Sequence, residues 1–161
     1  MIIISTVHKI NWKQLLISIG IALGIGGLSA LVTMNSMDKY ETMAKPALSP
    51  PGFLFPIVWA ILFTLMGISS YLIFNSEDSR KPFALFIYGA QLAVNFFWPI
   101  FFFNFSEYLW AFIWILLLWL LIILMIKKFY PINKVAALLQ VPYLLWVTFA
   151  AYLNFGVYLL N

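Results

Sequence analysis

All fourteen charged side chains of this chain fall outside five long apolar stretches. The stretches run over about 15–34, 53–74, 83–103, 108–126 and 135–160. Each is long enough for a helix to cross the roughly 30 Å hydrocarbon core of a bilayer. In lipid a backbone must satisfy its own polar groups, so a chain of this pattern forms helices. The remaining composition agrees. Of 161 residues 65% are hydrophobic and 9% charged, with mean hydropathy +1.01, whereas soluble domains carry about 25% charged residues. The expected fold class is therefore an all-α membrane protein, a single domain built as a five-transmembrane-helix bundle. Met1–Thr6 is apolar but short, and no small-residue cleavage site follows before the first span, so no signal peptide is expected.

Charge orients the bundle. With five spans, the N-terminus and the second and fourth connections share one side. They hold Lys9, Lys13, Arg80, Lys81, Lys127, Lys128 and Lys134, and the other side holds only Lys39 and Lys45. The positive-inside rule puts the N-terminus in the cytoplasm, and the C-terminus and the first connection outside. That connection, about 35–52, is the longest, and long ordered loops tend to be functional.

Several function classes are excluded by what the chain lacks. Asp38, Glu41, Glu77, Asp78 and Glu107 all lie in connections, and the one histidine, His8, precedes the first span. Ion-coupled transporters hold an ionisable group at membrane depth, so proton-driven efflux is not expected. No nucleophile–base pair or cluster with metal-ligand spacing occurs, and with no cysteine there is no thiolate chemistry or disulfide. The net charge of +4 is small and scattered, so no nucleic-acid partner is expected.

What the spans do contain is aromatic rings, amides and small residues. In span two Trp59, Phe63, Met66 and Ser70 share one helical face, behind a stiff Pro46, Pro50, Pro51 approach in which Ser49 is placed to cap the helix. In span three Gln91, Asn95 and Trp98 share a face, and Pro99 kinks the helix at Asn95, four residues back. In span five Gln140, Tyr143, Val147, Ala150 and Asn154 share a face beside Trp146, and Pro142 loosens the preceding turn. Such amides can be helix–helix bonds worth about 0.6 kcal/mol each, or contacts to a ligand. Three such faces on three helices point to a shared apolar pocket with a few converging polar groups, the usual form of a small-molecule site. Trp59, Trp98 and Trp146 are its candidate aromatic walls; Trp12, Trp110 and Tyr130 read as interfacial anchors, and Trp114 and Trp119 as lipid-facing or packing residues. In span one Gly20 and Gly24, and separately Ala22, Gly26 and Ala30, form small-residue ladders that serve close packing within the bundle or a dimer face.

Three separated motifs carry a resemblance. They are KPALSPPG with PIVW and SSY (Lys45–Tyr71), GAQLAVNFFWPIFFF (Gly89–Phe103) and VPYLLWVTFAAYLN (Val141–Asn154). Together with Tyr40 they resemble the translocator protein family, also called tryptophan-rich sensory proteins or peripheral benzodiazepine receptors, over roughly residues 40–155. The resemblance implies five helices around a pocket that the first connection covers as a lid. It implies porphyrins and other tetrapyrroles as ligands (sterols in animals, synthetic isoquinoline carboxamides and benzodiazepines), with no cofactor or metal otherwise. It also implies a homodimer, expected here in a bacterial cell membrane. By motif, and with Trp98 from the face reading, the ligand-binding residues are Tyr40, Trp59, Gln91, Asn95, Trp98, Tyr143, Trp146, Ala150 and Asn154. The expected role is to sense, sequester or transport the ligand; the alternative is an enzyme that oxidatively degrades bound porphyrin, as some bacterial members are reported to do.

The chain departs from the family at two lid positions. Lys39 and Leu48 stand where tryptophans are common, so photochemistry resting on a lid indole is in doubt. The sterol pattern needs a basic residue after tyrosine, and none follows Tyr152 or Tyr158.

Overall fold

The computed structural model describes residues 9–161; His8 and the Met1–Thr6 stretch lie outside the described residues. Helix α1 is Trp12–Thr33, and Asn11 caps it by accepting a hydrogen bond from the Gln14 amide. A single 3₁₀ turn leads to the short helix α2, Asp38–Thr42. Helices α3 (Leu54–Phe74), α4 (Lys81–Pro99) and α5 (Tyr108–Phe129) follow, then the short α6 (Lys134–Leu138) and α7 (Val141–Leu160). No strand occurs among the described residues, and five helical segments are long and apolar enough to cross a membrane.

Prolines set the departures from straight helices. Pro99 cannot donate to Asn95, and the chain answers with a π turn over Ile100–Asn104, closed by Phe105 N–H to the Ile100 carbonyl at 3.1 Å. Pro142 cannot donate to Leu138, and the last span is broken there into α6 and α7. At span two the expected helix start moves. Ser49 does not cap it; α3 begins at Leu54, after a turn in which Leu54 N–H reaches the Pro51 carbonyl at 3.0 Å. The reason is local: a following proline disfavours the helical region for Pro50, and no helix forms over 49–51. The Ser49 hydroxyl instead donates to the Pro46 carbonyl at 2.8 Å, closing a turn whose tip, Leu48, has φ 69°.

The helices pack in the order α1, α3, α6–α7, α5, α4 and back to α1. Small residues decide where backbones approach. Gly67 of α3 lies on the Ile19 backbone of α1, and Gly26 of α1 lies on the Phe63 ring, so neither position has room for a Cβ. The Ala22–Gly26 ladder is thus spent inside the bundle. Gly20 and Gly24 sit on the opposite face with nothing near them. Two further bonds fasten indoles between helices: Trp114 Nε1 donates to the Val94 carbonyl, and Trp119 Nε1 to Thr148 Oγ1, both at 2.8 Å. These two tryptophans are packing residues.

Candidate functional site

A cavity of about 170 Å³ opens between α1, α3 and the kinked end of α4. Its floor and walls come from Gly26, Ser29, Ala30 and Thr33 of α1, from Phe55, Pro56, Trp59 and Phe63 of α3, and from Asn95, Trp98 and Pro99 of α4. Met37, before α2, and Phe103, in the π turn, close it towards the lid. Pro99, where α4 gives way to the π turn, lines the cavity, and Ser29 Oγ, donating to the Phe96 carbonyl at 3.0 Å, holds α1 to α4.

Behind the α4 wall the amides are tied to α7. Asn95 Nδ2 donates to the Tyr143 hydroxyl at 2.7 Å, and that hydroxyl donates to Gln91 Oε1 at 2.8 Å. Gln91 Nε2 completes its contacts on Met66 Sδ at 3.9 Å. One turn further out, Trp98 Nε1 donates to Asn154 Oδ1 at 3.0 Å, and Asn154 Nδ2 donates to the Tyr108 carbonyl at 2.8 Å. All four of Gln91, Asn95, Tyr143 and Asn154 are buried. A network closed on itself in this way holds Asn95 and Trp98 in fixed orientations at the cavity wall.

The connection between α1 and α3, expected above to act as a lid, is joined to this site by rings. Tyr40 of α2 packs edge-on against Phe55 (5.2 Å between centroids), and Phe55 edge-on against Trp146 of α7 (5.9 Å). The Tyr40 hydroxyl donates to the Pro50 carbonyl at 2.7 Å, and Lys45 lies over its ring while donating to the Tyr40 carbonyl. Burial, with the Glu41 charge beside it, raises the pKa of that hydroxyl, which keeps it a donor. Lys39 reaches the far side of the cavity mouth. Its ammonium donates to the Phe103 carbonyl at 3.0 Å and to Ser106 Oγ at 3.2 Å. Lys39 thus forms a polar strap from α2 to the π turn and the residues just after it. Tyr152 Oη donates to the Ala47 carbonyl and Asn161 pairs with the Ala44 backbone, so the lid also rests on α7.

The structure brings three of the nine expected residues, Trp59, Asn95 and Trp98, to the cavity surface. Gln91, Tyr143 and Asn154 stand behind that surface as its hydrogen-bonded support. Tyr40 and Trp146 meet it through Phe55, and Ala150 is buried in the core without lining the cavity. The α1 residues were not expected. Their signal was present in the Ala22–Gly26–Ala30 ladder, of which Gly26, packed on the Phe63 ring, and Ala30 line the cavity.

Comparison with known proteins gives a consistent result. Residues 17–160 match the TspO/MBR family. The "Tryptophan-rich protein TspO" of Chlorobaculum tepidum is 36% identical over 155 residues, covering 92% of this chain and 98% of that protein. The protein of the same name from Archaeoglobus fulgidus is 37% identical, covering 94% and 99%. The "Translocator protein" of Sus scrofa is 33% identical, covering 83% and 82%. The three motifs, the five membrane helices and these matches agree: the chain belongs to the TspO/MBR family.

Proposed function

We propose that this membrane protein binds a flat, hydrophobic small molecule, with a tetrapyrrole as the best fit, in the cavity between α1, α3 and α4. Its role is to sense, sequester or move that ligand. The observation that carries this reading is the cavity wall: two indoles, Trp59 and Trp98, and one oriented amide, Asn95, in an otherwise apolar surface. Large π faces suit a planar macrocycle, and a single amide suits one polar edge. The names of relatives, "Tryptophan-rich sensory protein" in Cereibacter sphaeroides and "Translocator protein" in Sus scrofa, agree with sensing or transport.

Volume adds a mechanism. Sites for drug-sized molecules span about 300–1,000 Å³. At about 170 Å³ the cavity takes one edge of a tetrapyrrole in this closed form. Full entry requires Met37 and Phe103 to part, and with them the Lys39 strap. Binding is then coupled to lid opening, and α7 stays in place behind the α4 wall. By charge distribution the lid faces outward and the α3–α4 turn faces the cytoplasm, and by family resemblance two copies pair.

The indoles also favour a second reading, in which dioxygen oxidises the bound porphyrin in light and Trp59 or Trp98 relays an electron. Recovery of intact porphyrin after illumination supports binding alone; a new bilin-like absorption supports the enzyme. Binding itself is tested by titrating a porphyrin into the protein in nanodiscs. Indole fluorescence should be quenched saturably, with Trp59→Leu and Trp98→Leu weakening the affinity several-fold and Trp119→Leu leaving it unchanged. Equal effects at all three positions would mean simple partitioning into the bilayer.

A further inference from the structure

Beneath the Gln91–Tyr143 network lies a second polar layer whose bonds are not closed. Gln91, Tyr143 and Met66 are joined to one another, which fixes the relative heights of α4, α7 and α3. One helical turn towards the α3–α4 turn from that level, the same three faces present Tyr88 (three residues before Gln91), Gln140 (three before Tyr143) and Ser70 (four after Met66). All three are buried, Gln140 completely. Among the described residues both side-chain polar atoms of Gln140 have no hydrogen-bond partner, and the Tyr88 hydroxyl, though close to Ser70, makes no hydrogen bond of good geometry. Ser70 Oγ donates to the Gly67 carbonyl and keeps its lone pairs.

Inside a bilayer an unpaired buried amide is costly, and buried polar groups without protein partners are ordinarily met by internal water. We propose that this layer is an internal hydration site, holding one or two water molecules between Tyr88, Gln140 and Ser70. The donor set selects the occupant. Gln140 offers two N–H donors and a carbonyl acceptor, Tyr88 either role, and Ser70 an acceptor, a set that suits a small neutral molecule able both to give and to accept. No charged side chain belongs to the layer, so it does not suit an ion. The Met66–Gln91–Tyr143 level above separates it from the larger ligand cavity. Water here would tie the base of α7, just at its Pro142 break, to α3 and α4, so that the inner end of the bundle stays joined when the lid end opens.

The test uses the full chain in lipid bilayers. In solid-state NMR, magnetisation started on water protons should reach Gln140 Nε2 within milliseconds, but not the Trp114 indole, which is bonded to the Val94 carbonyl. Stability gives the second readout. If water satisfies the amide, Gln140→Met and Tyr88→Phe should each lower the melting temperature, by about 2–4 °C for one modest bond in a chain of this size. If the amide is dry, replacing it with a thioether of similar length removes an unmet polar group and raises the melting temperature. No water transfer to Gln140 overturns the proposal, and so do variants that melt at or above the parent temperature. A direct Tyr88–Gln140 bond would lower both melting temperatures without water transfer, and that too overturns it.

Discussion

Tyr143→Phe removes one oxygen from the centre of the bundle and leaves the ring in place. In the parent that oxygen accepts from Asn95 Nδ2 at 2.7 Å and donates to Gln91 Oε1 at 2.8 Å. Inter-helix hydrogen bonds in membrane proteins average about 0.6 kcal/mol each, with a ceiling near 1.7. Two of them therefore set an expected loss of about 1.2 kcal/mol and an upper bound of about 3.4. The value should lie above the average, because both partners stay behind, buried, and among the described residues Gln91 Oε1 has no other donor. A loss of about 1.5–3 kcal/mol is the expectation, read as a fall of roughly 3–12 °C in melting temperature at 2–4 °C per kcal/mol. The same variant frees the Asn95 amide at the cavity wall, so porphyrin affinity should fall too, while Trp98, held separately by Asn154, keeps its orientation. The assay is thermal unfolding in lipid nanodiscs, with Gln91→Met and the double variant closing a cycle. Non-additivity should be evident, since each change breaks the same bond. A Tyr143→Phe protein as stable as its parent, or strictly additive losses, would refute the network as the support of the site.

Other consequences follow from particular contacts. Gly67→Val should destabilise the fold severely, because its side chain would enter the Ile19 backbone, whereas Gly20→Val, on the open face of α1, should change stability by less than about 0.5 kcal/mol; equal melting curves would contradict the packing of α1 on α3. Lys39→Ala should speed ligand association and dissociation together, by freeing the strap from the Phe103 carbonyl and Ser106, with little change in equilibrium affinity in stopped-flow quenching; unchanged rates would mean that the lid is not the gate. Single cysteines at Lys45, Lys81 and Lys128 report orientation in this cysteine-free chain: an impermeant maleimide should label position 45 on intact cells and leave 81 and 128 for permeabilised ones.

The fold was legible because lipid leaves few options. Apolar stretches of this length, with charges only outside them, had to become helices, and Pro99 and Pro142 announced the two places where a regular α-helix could not continue. The start of α3 was misread at Ser49, since a capping hydroxyl followed by proline suggests a helix until the second proline, Pro51, is weighed. Half of the cavity was legible for a chemical reason: aromatic and amide side chains at helical spacing stand out against leucine and isoleucine. The α1 half was harder to see. There the wall is made by small residues such as Gly26 and Ala30, and a small residue gives the same signal whether it admits a neighbouring side chain, as Gly26 admits the Phe63 ring, or borders a ligand space. The pairing of Asn95 with Tyr143, and of Trp98 with Asn154, joins residues 48 and 56 positions apart, and nothing in local spacing sets that register.

The most direct measurement of the central claim is a structure of the protein in lipid with a porphyrin bound. The account predicts density for the macrocycle between α1, α3 and α4, one face against Trp59 or Trp98 and one edge within hydrogen-bond distance of Asn95, with Lys39 released from the Phe103 carbonyl and Tyr143 still bonded to Gln91. A porphyrin seated on the lipid-facing surface, or reached without any movement of the lid, would contradict it.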